Sequence, residues 1–238
     1  MALDPRLHAA TQTVGGAATI DEGLRAYMLR VYNYMSAGLA VTGIVAFFTS
    51  QSPEFMATIY GTPLAWVVML APLGLVMFMS FRINRMSAAA AQATFWAFSG
   101  LMGLSLAYIF LVYTGASITR VFFITTSMFA GMSLYGYTTK RDLSGIGSFL
   151  IMGLIGLIVA SIVNIFLQSS AMHWAISVIG VLIFVGLTAY DTQKIRRMYT
   201  DADGSEVTTK KSIMGALTLY LDFLNMFLFM LRLFGNRQ

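Results

Sequence analysis

The 238 residues are 58% hydrophobic and only 11% charged, and the mean hydropathy is +0.74; an ordinary soluble domain carries roughly 25% charged residues. That balance excludes a soluble globular domain and points to the lipid bilayer as solvent. The net charge of +5 does not signal nucleic acid, because the 15 Lys and Arg fall mainly between apolar segments, where they act as topology signals; the absence of cysteine excludes disulfides and thiolate metal sites.

Residues 1–27 read as a polar tail of mixed charge, without the apolar core and small-residue cleavage site of a signal peptide. Asp21 and Glu22 are placed to open a short interfacial helix, since acids favour a helix N-terminus. Seven apolar segments then approach or exceed the roughly 17–25 residues that cross a bilayer core as a helix. They run about Met28–Thr49, Leu64–Phe81, Ala88–Val112, Ser117–Tyr137, Ile146–Leu167, Met172–Gln193 and Ser212–Leu233. Pro63 sits at the first turn of the second span, and Pro72 inside it should kink it. The short loops leave residues 28–238 as one transmembrane domain, an all-α polytopic membrane protein.

Charge sets the orientation. Arg6, Arg25, Arg82, Arg85, Lys140, Arg141, Lys194, Arg196, Arg197, Lys210 and Lys211 fall on one side; Arg120, Arg232 and Arg237 fall on the other, with Arg30 at a boundary. The basic side is expected in the cytoplasm, together with the N-terminus. Seven full spans put the C-terminus outside; a re-entrant seventh segment would return it. Gly156 with Ala160, and Gly38 with Thr42, have the small-residue spacing that lets helix backbones approach. The 17 methionines are scattered and suit a soft packed core better than a metal relay.

No Walker loop, GxGxxG or HExxH is present, and the two histidines, His8 and His173, have no base or nucleophile at matching depth. The chain therefore reads as a non-enzyme without a cofactor. Of ten acids, eight lie in the tail or loops; Asp191 and Asp222 lie in apolar context. A carboxylate there is costly and is a functional-site hypothesis when a partner can be named. The polar stretch Thr200–Lys211 centres near Glu206, 15 residues after Asp191 and 16 before Asp222. Antiparallel neighbours would thus bring both acids to one depth, provided the sixth span continues past Lys194 towards Tyr199.

Two carboxylates in reach of each other in a dry site cannot comfortably both carry charge, so the pair shares a proton and titrates as a unit. With the proton they latch two helices; without it they repel or admit a cation. Paired anionic oxygens, backbone carbonyls and waters would suit Ca²⁺, bound transiently by Asp191 and Asp222. Alternatives remain: Asp191 could pair with Lys194 or an arginine, and Asp222 could bond Asn225 or Thr218. Arg82 or Arg85, at the cytoplasmic end of the second span, could swing towards Asp191.

AYDTQKI at Ala189–Ile195, LYLDFLNMFLFMLRLFG at Leu219–Gly235 and GYTTKRDLS at Gly136–Ser144 together resemble the Bax inhibitor family of membrane proteins, in its bacterial YccA-like branch. The resemblance implies six helices around a central seventh, residence in the bacterial inner membrane, and a pH-dependent Ca²⁺ leak gated by an aspartate pair that matches Asp191 and Asp222. The gating arginine it implies matches Arg82, with Arg85 as the other choice. It also implies a second role, regulation of a membrane-bound protease or of a stress response, with the polar linker and the tail as contact surfaces. The sequence thus predicts a pH-gated cation leak channel. A non-transporting regulator and a proton-coupled cation exchanger are the alternatives.

Overall fold

Backbone groups in hydrocarbon have no water to bond, so an apolar run satisfies them within itself by coiling into a helix. The computed structural model describes residues 5–238, with side chains from Glu22 onward, and is helical in all seven expected spans, the third interrupted by a turn at Ala107 and Tyr108. Helix α1 covers Pro5–Ser50, α2 Pro53–Tyr60, α3 Leu64–Arg82, α4 Ala88–Leu106, α5 Ile109–Val112, α6 Gly115–Thr138, α7 Ser144–Leu167, α8 Ser170–Arg197 and α9 Ser205–Phe234. Of the expected tail, residues 5–27 already belong to α1; the side chains of residues 1–21, His8 and Asp21 included, lie outside the described part. The seventh span is one unbroken helix of 30 residues rather than a re-entrant hairpin. Pro72 lies inside α3 and is buried.

Hydroxyl side chains start four of the helices. Ser52, Ser87, Thr114 and Ser169 each accept the N–H of the residue three positions on, opening α2, α4, α6 and α8. Each satisfies one of the donors that a first helical turn leaves without an acceptor.

The helices share the core unequally. The apolar window of α9 is 67% buried, that of α7 only 6%. Helix α9 packs against α1, α4, α6 and α8, whereas α3 leans chiefly on α4 and α7 on α8. The outward faces of α3 and α7 carry Trp66, Leu73, Phe149 and Phe166, as lipid-facing surfaces should.

Glycine permits close approach at some contacts and not at others. A Cβ on Gly38 would lie 2.8 Å from Phe95 Cζ on α4, and one on Gly136 would collide with the Ala189 carbonyl oxygen of α8. Gly156, by contrast, faces open space. The small-residue spacing thus marks a helix contact at Gly38 but not at Gly156, because spacing along one helix does not say which face meets a neighbour.

The basic loops gather at one end. Lys210 Nζ donates to Met86 O at 3.2 Å, tying the start of α9 to the turn after α3. Arg196 donates to Tyr137 O at 2.6 Å, tying the end of α8 to the end of α6. Arg30 donates to Thr209 Oγ1 at 3.2 Å, so this residue, ambiguous in sequence, belongs to the basic end.

Gly136→Ala should cost about 1–3 kcal/mol by forcing α6 from the α8 backbone, whereas Gly156→Ala should change stability by no more than about 1 kcal/mol. Thermal unfolding midpoints of the two purified variants check this; equal midpoints would contradict the close α6–α8 approach.

Candidate functional site

Helix α8 continues past Lys194 to Arg197, as the pairing of the two acids requires. Its last turn is anchored rather than frayed. Gln193 Oε1 accepts Leu143 N–H at 2.9 Å while its Nε2 donates to Arg141 O at 2.8 Å, so one amide side chain clasps the α6–α7 loop. Arg197 pairs with Asp142 at 2.9 Å on the surface. The N–H and hydroxyl of Ser144, and then Arg197, pull the Asp142 carboxyl down to about 2. It is therefore charged across the physiological range, and this contact is not a pH sensor.

Part of the expected polar linker is helix. The connection is Met198–Gly204, and Ser205–Lys211 form the first two turns of α9. Lys211 Nζ donates to Met198 O at 2.9 Å and pairs with Asp203, folding this loop against α9. Ile195 meets Gly215, and Phe229 meets Gly180, which sets the antiparallel register of the two helices. Asp191 lies four residues before Ile195 and Asp222 seven after Gly215. At 1.5 Å per residue their levels differ by about 5 Å, a gap that side chains can bridge.

The two carboxyl groups lie within hydrogen-bonding reach of each other. Both are buried, Asp191 at 9% exposure and Asp222 at 4%. Asp222 Oδ2 is buried and finds no donor among the described residues. Two ionised carboxylates are both acceptors, so a bond between them needs a shared proton or an intervening cation. The pair lines a crevice of about 600 Å³ bounded by α3, α7, α8 and α9. Val76 and Ser80 line it from α3, and Ser161 from α7.

The other predicted residues divide. Thr218 and Asn225 line the same crevice, but Thr218 Oγ1 donates to Met214 O at 3.1 Å and Asn225 Nδ2 to Leu221 O at 2.8 Å, both within α9. That leaves Asn225 Oδ1 an acceptor. Lys194 is exposed, its ammonium 5.9 Å from the centroid of the Tyr190 ring, and forms no ion pair with Asp191. Arg82 ends α3 and Arg85 ends the single 3₁₀ turn that follows; both are exposed, and neither lines the crevice. Among the described residues no third carboxylate, imidazole or thiolate joins the pair. A cation there would complete its shell with hydroxyl, amide and water oxygens.

Several buried polar contacts were not singled out from sequence. Tyr32 OH, Ser133 Oγ and Thr192 Oγ1 form a chain with steps of 2.6 and 3.0 Å across α1, α6 and α8. Tyr220 OH meets Thr42 Oγ1 at 2.6 Å, and Thr42 donates to Ser99 O at 2.9 Å. Thr192 and Gln193 flank Asp191, and Tyr220 precedes Asp222 by two residues. The signal that finds them is a polar residue inside an apolar span, which must be bonded within the bundle.

The sequence profile of the family described as "Inhibitor of apoptosis-promoting Bax1" matches residues 24–238. An uncharacterised protein of Rickettsia prowazekii is 51% identical over 220 residues, covering 92% of this chain and 93% of its own. The Escherichia coli K12 protein YbhL, named an inner membrane protein, is 48% identical over 219 residues, covering 91% and 94%. A Caulobacter vibrioides protein is 45% identical over 230 residues, covering 92% of each. A profile match across nearly the whole chain, with relatives this similar end to end, shows that the chain belongs to the Bax inhibitor family of membrane proteins.

Proposed function

We propose that the protein is a pH-gated cation leak channel whose gate is the Asp191–Asp222 pair, with Ca²⁺ the cation its oxygens suit. The observation that carries this reading is the meeting of two carboxyl groups in the lining of a crevice between long apolar helices. With one shared proton, the carboxyls bond and hold α8 to α9. Without it, two like charges repel in a medium that screens them poorly. A divalent cation entering the crevice relieves that repulsion, with Thr218 and Asn225 offering further oxygens. Helices α3 and α7 flank the crevice and each lean chiefly on one neighbour, which makes them the elements free to part. Movement of α3 would carry Arg82, two residues beyond the crevice-lining Ser80, as a counter-charge for Asp191. The basic end faces the cytoplasm of a bacterial cell by the excess of Lys and Arg in its loops.

In proteoliposomes the wild type should pass Ca²⁺ with a rate that changes by up to about tenfold per pH unit, as control by one proton allows. Asp191→Asn and Asp222→Asn should each flatten that profile. An unchanged profile in both variants would remove the gate. Uphill Ca²⁺ movement driven by an imposed proton gradient would instead assign an exchanger built on the same acids.

The latch has its own readout. In Asp222→Asn an amide donates to Asp191 at every pH, so the contact no longer depends on a proton. Wild-type stability should fall as the shared proton is lost at rising pH, by on the order of 3 kcal/mol, while Asp222→Asn stays level. Thermal unfolding across pH checks this, and parallel curves would contradict a shared proton.

A further inference from the structure

The end of the bundle opposite the α8–α9 loop is poor in charge, yet two of its three cations, Arg232 and Arg237, line one cavity of about 690 Å³. Both are held in place. Tyr113 and Arg237 form an antiparallel bridge, Thr114 N–H donates to Asn236 O at 3.0 Å, and Gln238 N–H donates to Val112 O at 3.0 Å. The last residues are thus strapped to the α5–α6 turn. The Arg232 guanidinium lies 5.4 Å from the centroid of the Phe229 ring.

The facing wall is also built. Asn164 Oδ1 accepts Ser169 N–H at 3.1 Å, and Gln168 takes the left-handed conformation with φ 50°, which turns the chain sharply from α7 into α8. The turn brings Gln168, Ser170 and His173 to the cavity. Ser170 opens α8, where first-turn N–H groups have no intrahelical acceptor and the helix dipole favours an anion. His173 is the one histidine among the residues with described side chains. Among the described residues no carboxylate pairs with Arg232, Arg237 or His173. The rim is apolar on the lipid side, with Ile165 and Phe166 exposed, and Trp174 stands beside His173 as aromatic residues do at a headgroup layer.

We propose that this cavity binds a phosphate oxyanion, with Arg232 and Arg237 as its charged ligands and Gln168, Ser170 and His173 as further donors. The guanidinium fork matches phosphate geometry, and two arginines on one cavity whose lining holds no acid leave an anion as the natural occupant. A phospholipid headgroup and free phosphate share this chemistry. Ser161 and Ile165 line both this cavity and the aspartate crevice, so the two are neighbours; the binding itself does not rest on ion conduction.

The test uses the full chain purified in neutral detergent. Native mass spectrometry compares added phosphatidylglycerol with phosphatidylcholine, and thermal unfolding is followed with inorganic phosphate. The wild type should retain phosphatidylglycerol over phosphatidylcholine. Arg232→Gln with Arg237→Gln should weaken that retention by about tenfold per arginine, while Arg120→Gln at the same end should not. Stabilisation by phosphate, together with displacement of the lipid by it, assigns an aqueous anion; lipid retention without a phosphate effect assigns the headgroup. A wild type that neither prefers the anionic lipid nor responds to phosphate overturns the site, whatever the variants do. So does a folded double variant that binds as the wild type does.

Discussion

A carboxylate inside a bilayer-spanning bundle is tolerable only with something to share its charge, and for Asp222 that something is Asp191. The pair is a demanding arrangement. Neither side chain can donate to the other without a proton, and Asp222 Oδ2 has no other donor among the described residues. The two are nevertheless buried together. Holding them so requires α8 to stay helical to Arg197, and that in turn requires the loops at the basic end to be tied down. Gln193 of α8, bonded to the α6–α7 loop, and Lys211 of α9, bonded to the α8–α9 loop, supply these ties. The residues around the acids therefore serve to hold two backbones in register.

The same logic explains where the bundle is dense and where it is loose. Helix α9 is the most buried span, and its contact with α1 includes a bonded hydroxyl pair, Tyr220 with Thr42, from which Thr42 donates on to Ser99 O of α4. A buried hydroxyl in an apolar medium costs free energy unless it is bonded, so Tyr220, Thr42 and the chain from Tyr32 to Thr192 couple helices that hydrocarbon contact would leave free to slide. On the other side of α9, α3 and α7 each lean on one neighbour, and a crevice remains between them. The acids line the loose side and the hydroxyl contacts the dense side. That asymmetry is the physical basis for assigning motion to α3 and α7.

Charge is distributed with equal economy. The basic end is knitted by Lys and Arg that bond backbone carbonyls, as Lys210, Lys211 and Arg196 do. Such cations set topology and also close helix ends. At the opposite end cations are few, and Arg232 and Arg237 line one cavity that no acid lines. A cation that neither pairs with an acid nor closes a helix has its donors available for a ligand.

Read by itself, the sequence determined the seven spans, the excess of cations in alternate gaps and the two acids in apolar context, whose meeting it made conditional on the sixth span running past Lys194. These follow from hydropathy, spacing and rise per residue, which are local quantities. Only the tertiary structure decided which groups surround the acids. Thr218 and Asn225 turn to their own backbone, Lys194 lies against Tyr190, and Arg82 and Arg85 are exposed and do not line the crevice. It also decided that Gly38 meets a neighbour while Gly156 meets none, and that Gln193, rather than a charge, clasps the end of α8. The reason is rotational. A residue's depth can be counted along a helix, but the face it presents depends on every helix packed around it.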